Sequence, residues 1–224
     1  TLLHERGGTG ARADRVNAVA MELGVDLSVA EGLVDRAWAR HVERWNRGET
    51  FTSRHMVASL LDEVDARAPG RCERLTSWFE EAIAVHGVCA VDEGVEVVTA
   101  LKDAGIAVAL ICDTGYSPGR MVRRMLRTVG FPPFDAYAFS DEIGFPKPHP
   151  AMFQAALVPR GVEPGEALHV GDLRRTDIAG ARAVGLTAVR FRGVYDDLDD
   201  AHPEGDAVID RLSEVMGQVG RLSR

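Results

Sequence analysis

The sequence has few cysteines, no long apolar run and no excess of basic residues. Its three cysteines, Cys72, Cys89 and Cys112, lie far apart in apolar surroundings. This pattern favours reduced thiols over a disulfide framework or a zinc site. Because no run of 18 apolar residues occurs, no membrane-spanning helix is predicted. The net charge of −8 argues against a nucleic-acid partner, since phosphate backbones select basic protein faces.

Two further absences concern targeting and the start of the chain. No secretory signal pattern is visible, which together with reduced cysteines predicts a cytoplasmic protein. The chain starts with threonine and not methionine, so we expect that further residues precede Thr1. A length of 224 residues with 46% hydrophobic and 27% charged residues is typical of a globular enzyme with one domain or two small ones. The sequence is compatible with a homodimer.

The first part of the chain is predicted to be helical. Four segments carry apolar residues at helical spacing, and they are separated by Gly24, Gly48 and the Pro69-Gly70 pair. The second segment is predicted to begin with a capping box at Ser28. Since no convincing strand interrupts these segments, we expect an all-helical subdomain over residues 11–87.

After Gly87 the pattern changes to an alternation of strands and helices. Continuous apolar or small-residue runs predict strands near 106–111, 137–140, 167–170 and 187–190, with helical patterns between them. Such alternation predicts a doubly wound parallel sheet over residues 88–224. In folds of this class the functional residues lie at the carboxyl ends of the strands.

Two carboxylates and a lysine follow predicted strand ends. Asp172 and Asp177 come after a short apolar run and Gly171, so both can face one crevice, where paired oxygen ligands suit Mg2+. A nearby ammonium from Lys147 would suit a phosphoryl group. The alternative is that both aspartates cap a helix at its positive end and that Lys147 is a solvated loop residue.

At the level of motifs, the chain resembles the haloacid dehalogenase superfamily, in its phosphatase-like branch with an inserted helical cap. The matching segments are Leu110-Ile-Cys-Asp-Thr-Gly115, Lys147-Pro148, and Gly171-Asp172 through Asp177-Ile-Ala-Gly-Ala. The resemblance extends over nearly the whole chain. It implies an α/β fold with a doubly wound parallel-sheet, Rossmann-like core and a four-helix cap inserted into it.

The resemblance also assigns residues 1–10 to the remnant of the first core motif and a linker. Thr1-Leu2-Leu3 is similar to the tail of the family's nucleophile motif. This similarity implies a nucleophilic aspartate four residues before Thr1, at the end of a core strand, and a second aspartate two residues after the nucleophile. Without these aspartates the chain would be a catalytically inactive binding or regulatory relative.

The activity implied by the resemblance is Mg2+-dependent hydrolysis of a small phosphorylated metabolite through an aspartyl-phosphate intermediate. Asp172 and Asp177 would hold the metal, and Lys147 would bind both the nucleophile and the phosphoryl group. The alternatives within the superfamily are a 2-haloacid dehalogenase, which needs no metal and is disfavoured by the aspartate pair, and a phosphomutase.

The phosphate-binding motif departs from the family pattern. Family members carry serine or threonine and then asparagine after this strand, whereas this chain has Cys112 and Asp113. A thiol is a poorer donor than a hydroxyl, and a carboxylate is unfavourable beside phosphate, so Thr114 is expected to supply a hydroxyl. In the cap, His41 and Arg44 are candidate substrate contacts, although the aromatic residues around them favour a core position for this helix face.

Overall fold

A computed structural model of the chain describes residues 2–6, 8 and 10–222. Four helices come first and pack on one another as a helical bundle: α1 (Gly10–Leu23), α2 (Leu27–Asn46), α3 (Ser53–Glu63) and α4 (Arg71–His86). Their shared core consists of fully or nearly fully buried apolar side chains, among them Val19, Leu33, Met56, Leu60, Leu75 and Phe79. The four helices agree with the four apolar segments found in the sequence.

The helix starts differ from the sequence prediction in one place. α2 begins at Leu27 with Asp26 as its N-cap residue, so the predicted capping box at Ser28 is wrong, because Ser28 already lies within the first turn. α3 begins after Thr52, whose backbone N–H donates a hydrogen bond to Nδ1 of His55 at 3.1 Å.

The remainder of the chain alternates between strands and helices. Its elements, in chain order and including the short strand that precedes α1, are β1 (Leu3–Glu5), β2 (Val88–Ala90), α5 (Gly94–Asp103), β3 (Ala109–Cys112), α6 (Gly119–Thr128), β4 (Ala136–Phe139), α7 (Ser140–Ile143), α8 (Pro150–Leu157), β5 (Leu168–Gly171), α9 (Ala179–Ala183), β6 (Thr187–Phe191), β7 (Ala207–Ile209) and α10 (Val215–Leu222). β1 and β2 form an antiparallel pair where the chain enters and leaves the helical bundle.

The remaining strands are parallel, which agrees with the predicted α/β class. β3 pairs with β4, and β5, β6 and β7 form a second sheet in that order. Within the described residues no strand pairs with the second edge of β3 or of β5. The expected nucleophile strand and Thr1 lie outside the described residues.

Helices cover both faces of the β5–β6–β7 sheet. Val189 and Phe191 of β6 face α5 and α10 and pack on Val97 and Leu101. Ala188, whose side chain points the opposite way in the strand, belongs to the cluster that contains Met152 and Phe153 of α8 and Ile178. This two-sided covering is the doubly wound arrangement. None of the described helices combines the length and apolar character that a bilayer crossing requires.

Candidate active site

The site forms at the carboxyl end of β5, where the chain turns into a π-helical segment (Arg174–Ile178). This turn places the Asp177 side chain directly over Gly171, and a methyl group on Gly171 would collide with the Asp177 carboxylate. Gly171 is therefore needed for the close approach of Asp177 to the strand end. The sequence prediction that both aspartates follow this strand at a sharp turn agrees with the backbone path.

Asp177 and Lys147 form a buried ion pair. Lys147 Nζ lies 2.7 Å from Asp177 Oδ1, and His169 Nε2 lies 2.8 Å from the same oxygen. The backbone N–H of Leu173 donates to Asp177 Oδ2 at 3.2 Å. The exposed fractions of the two charged side chains are 12% for Lys147 and 3% for Asp177, so little water competes for this pair.

Both members of the pair are charged at neutral pH. Burial by itself would raise the pKa of Asp177, but the Lys147 charge and the hydrogen bond from His169 outweigh it and hold that pKa far below its usual range. Burial by itself would lower the pKa of Lys147, but the carboxylates of Asp177 and Asp113 raise it above its usual value. The site thus presents a fixed ammonium in a largely water-free position.

Asp113, at the end of β3, is held by two protein donors. Its Oδ1 accepts the backbone N–H of Lys147 at 2.8 Å, and its Oδ2 accepts the indole N–H of Trp45 from α2 at 3.0 Å. The carboxylate is therefore committed to the protein. Phosphate binding at Asp113 stays a prediction. Because the side chain is engaged, backbone groups of this loop would bind the phosphate.

The other two residues of the same motif are also engaged. The Thr114 N–H donates to Ser140 Oγ at 2.8 Å, and the Thr114 hydroxyl lies 3.0 Å from the same oxygen. Burial raises the pKa of the Cys112 thiol to about 11, so Cys112 is a protonated thiol at neutral pH and a poor nucleophile. Phosphate binding by Cys112 and Thr114 stays a prediction.

The helical bundle brings one of its two candidate residues to the site. His41 is buried, its Nδ1 lies 2.6 Å from the Phe51 carbonyl oxygen, and burial lowers its pKa. A Cβ atom on Gly115 would lie 3.4 Å from His41 Nε2, so the ring borders the loop after β3. Arg44, by contrast, is exposed and pairs with Glu49.

Asp172 is the remaining candidate metal ligand. It follows Gly171 directly, is half-buried and has partners of its own within the protein. The described residues contain no cluster of three or more His, Cys, Asp or Glu side chains that could hold a metal. Mg2+ usually takes one or two protein carboxylates and completes its shell with water and phosphate oxygens. Metal binding by Asp172 and Asp177 stays a prediction, and both Asp177 oxygens accept protein hydrogen bonds.

Sequence reasoning missed several residues of this site. His169 is one of them, and it donates a hydrogen bond to Asp177. The sequence does indicate its position, because residues two apart in a strand share one face, and His169 lies two residues before Gly171 in β5. Trp45 and Arg175 join the helical bundle to the core: the Arg175 guanidinium lies 4.2 Å from the Trp45 ring centre. No sequence pattern indicated that contact.

Comparison with known proteins agrees with the motifs and the fold. A family model described as haloacid dehalogenase-like hydrolase matches residues 11–185. The chain belongs to this family. It is 34% identical to haloacid dehalogenase-like hydrolase domain-containing protein 3 of Bos taurus over 229 residues, which cover 96% of this chain and 88% of the relative.

Other similar proteins carry names that state an activity. The chain is 38% identical over 94 residues to glyceraldehyde 3-phosphate phosphatase of Methanopyrus kandleri, with 41% of this chain aligned, and it spans only 40% of the length of that relative. A 2-haloacid dehalogenase structure from Pseudomonas syringae pv. Tomato superposes with a TM-score of 0.72 at 22% identity, covering 99% of this chain and 94% of the other. This last likeness concerns the fold alone.

Proposed function

We propose that this haloacid dehalogenase-like hydrolase is a Mg2+-dependent phosphohydrolase that acts on a small phosphorylated metabolite. The observation that carries the proposal is the buried Lys147–Asp177 ion pair at the carboxyl end of a parallel strand. A fixed, desolvated ammonium at this place is suited to the charge of a transferring phosphoryl group. Relatives named as phosphatases support the same reaction class.

In this proposal Lys147 binds a phosphoryl oxygen and the attacking carboxylate. Asp177 and His169 act through the lysine in this proposal. Asp177 Oδ1 accepts a hydrogen bond of 2.7 Å from the Lys147 ammonium, and His169 holds the same oxygen through a hydrogen bond of 2.8 Å. Because the lysine side chain is already fixed, it does not have to reorganise as charge develops. Asp172 is the proposed Mg2+ ligand, and bound Mg2+ would supply neutralisation of the phosphoryl charge.

The attacking group in this proposal is an aspartate upstream of Thr1, outside the described residues. Among the residues that the structure describes, β3 and β5 each have one edge without a strand partner, and this supports a further strand between the two sheets. Attack of its carboxylate on phosphorus forms an aspartyl phosphate and breaks the bond to the ester oxygen, which takes a proton from the second upstream aspartate and leaves as the alcohol. The same aspartate then accepts a proton from water, and the hydrolysis of the acyl phosphate releases inorganic phosphate.

The helical bundle is the proposed cap over this site. His41 and Trp38 border the loop at Gly115, where a Cβ atom would lie 3.1 Å from the Trp38 ring. This close packing of α2 on the loop supports a covered site, and a covered site favours a small phosphate ester over a large one. This is the basis for proposing a small metabolite as the substrate.

The decisive experiment is a phosphatase assay on the whole protein, including any residues that precede Thr1, with p-nitrophenyl phosphate and Mg2+. Asp172→Ala should lower kcat at least a hundredfold with an unchanged circular dichroism spectrum, because a metal ligand at the reacting phosphoryl group is lost. Asp103→Ala, at the exposed end of α5, is the matched control and should retain full activity.

Three results would overturn the proposal. Full activity of Asp172→Ala, or full activity in excess chelator, would remove the metal from the reaction. Release of halide from a 2-haloacid without metal would replace phosphatase by dehalogenase. Transfer of phosphate to a sugar, found by product analysis, would make the protein a phosphomutase.

A further inference from the structure

One carboxylate connects three separate segments of this protein. Asp113 lies at the end of β3, accepts the backbone N–H of Lys147 with Oδ1 and accepts the indole N–H of Trp45 with Oδ2. Trp45 belongs to α2 of the helical bundle, and Lys147 belongs to the loop between α7 and α8. The position of α2 and the position of the Lys147 backbone are therefore linked through a single side chain.

A second contact joins Trp45 to the π-helical segment that contains Asp177. The Arg175 guanidinium lies against the Trp45 ring, and Arg175 Nη2 donates to Asn46 Oδ1 at 3.0 Å. Arg175 is in the same π-helical segment as Asp177, which binds the Lys147 ammonium. Trp45 thus contacts two segments that fix Lys147. Asp113 binds the Lys147 backbone, and the π-helical segment of Arg175 contains Asp177, which binds the ammonium.

The chemistry of these contacts depends on α2 being docked. A carboxylate that accepts two N–H donors is fixed in orientation, and a hydrogen bond to a charged acceptor is stronger than a neutral one. If α2 moves away, Asp113 loses one donor and gains water in its place. Its remaining hydrogen bond to the Lys147 N–H is then weakened by competition with solvent.

We propose that Trp45 and Asp113 are positioning residues that couple docking of the helical bundle to the placement of Lys147. In this proposal the two side chains act through Lys147 and not on the reacting groups. Their effect on rate rests on the proposed phosphohydrolase activity, but their effect on the Lys147 backbone does not. The coupling makes the site complete only when the bundle is closed over it, so that the ammonium is in place when water has been excluded.

The test uses Trp45→Phe in the whole protein, because phenylalanine removes the indole N–H and keeps an aromatic ring beneath Arg175. Hydrogen exchange of the Lys147 backbone amide, followed by NMR, should be about tenfold faster than in the parent protein. The kcat for p-nitrophenyl phosphate should fall about five- to tenfold while KM changes less than twofold, since placement and not binding is altered. Trp78→Phe is the matched control, because Trp78 is an exposed tryptophan on α4, and it should change neither quantity.

A second variant keeps the test decisive if Trp45→Phe does not fold. Asp113→Asn keeps an acceptor oxygen and should also speed exchange at Lys147. An unchanged exchange rate in whichever variant folds overturns the coupling, and so does a kcat within twofold of the parent protein when the parent is active. If the parent shows no phosphatase activity, the proposed function fails, and the exchange measurement alone decides the coupling.

Discussion

Replacing Lys147 with methionine tests the buried ion pair directly, because methionine keeps most of the apolar stem and removes the charge. Removing one partner of a buried pair typically costs about 3–5 kcal/mol, since the other charge is left uncompensated. Asp177 keeps its hydrogen bonds to His169 and Leu173, so we expect the lower end, about 3 kcal/mol. With a urea slope of about 3 kcal/mol/M, the unfolding midpoint should fall by about 1 M.

The sequence offers a matched control in its second lysine. Lys102 Nζ lies 2.8 Å from Asp135 Oδ2, but about a quarter of each side chain is exposed. Lys102→Met should therefore cost less than about 1 kcal/mol, as solvated pairs do. Urea unfolding of both variants, followed by circular dichroism, gives the comparison. Equal losses for the two variants would refute the conclusion that the Lys147–Asp177 pair is buried.

The same ion pair determines how the stability of the folded protein depends on pH. The folded-state pKa of Asp177 is lowered, so its contribution to stability is present above its unfolded pKa of about 3.9 and is lost as pH falls below that value. The folded-state pKa of Lys147 is raised, so its contribution is present below about pH 10.4 and is lost as pH rises beyond it. The stability difference between parent and Lys147→Met should be constant from about pH 5 to 9 and shrink on either side.

Two further predictions concern cysteine reactivity and substrate choice. Because burial raises the pKa of Cys112 to about 11, its alkylation by iodoacetamide at pH 8 should be about a hundredfold slower than that of free cysteine; labelling within minutes, measured by peptide mass spectrometry, would contradict this. His41→Ala should change the ratios of kcat/KM among phosphate esters about tenfold and change p-nitrophenyl phosphate hydrolysis less than threefold. Arg44→Ala, which removes only an exposed pair with Glu49, should leave these ratios unchanged, and total loss of activity in a folded His41→Ala would assign chemistry to the helical bundle.

Much of the fold could be predicted from the sequence because its periodic signals are strong. The four helices of the bundle and the strands β3 to β6 lie close to the predicted positions. The antiparallel pair of β1 and β2 and the strand β7 were missed, because three-residue strands are too short to show alternation. Ser28 was misread as a cap, because a capping box is a local pattern and Asp26 two residues earlier starts the helix equally well.

The site was predictable only in part. The sequence indicated that Lys147 and the two aspartates lie at strand ends, since parallel strands bring those ends to one edge. It could not indicate that Asp177 pairs with Lys147, or that Asp113 binds Trp45, because these partners are 30 and 68 residues apart. Contacts of this range depend on how the helical bundle sits on the core, and no local pattern encodes that arrangement.

The buried lysine also has a practical consequence for chemical labelling. Only two of the 26 basic side chains are lysines, and the rest are arginines. Lys147 is enclosed and held as an ammonium, and an ammonium is not a nucleophile toward activated esters. Of these two lysines, Lys102 on α5 has the more exposed side chain and is therefore the one that an activated ester reaches first. A dye attached there would report on the protein from a single defined position without entering the site.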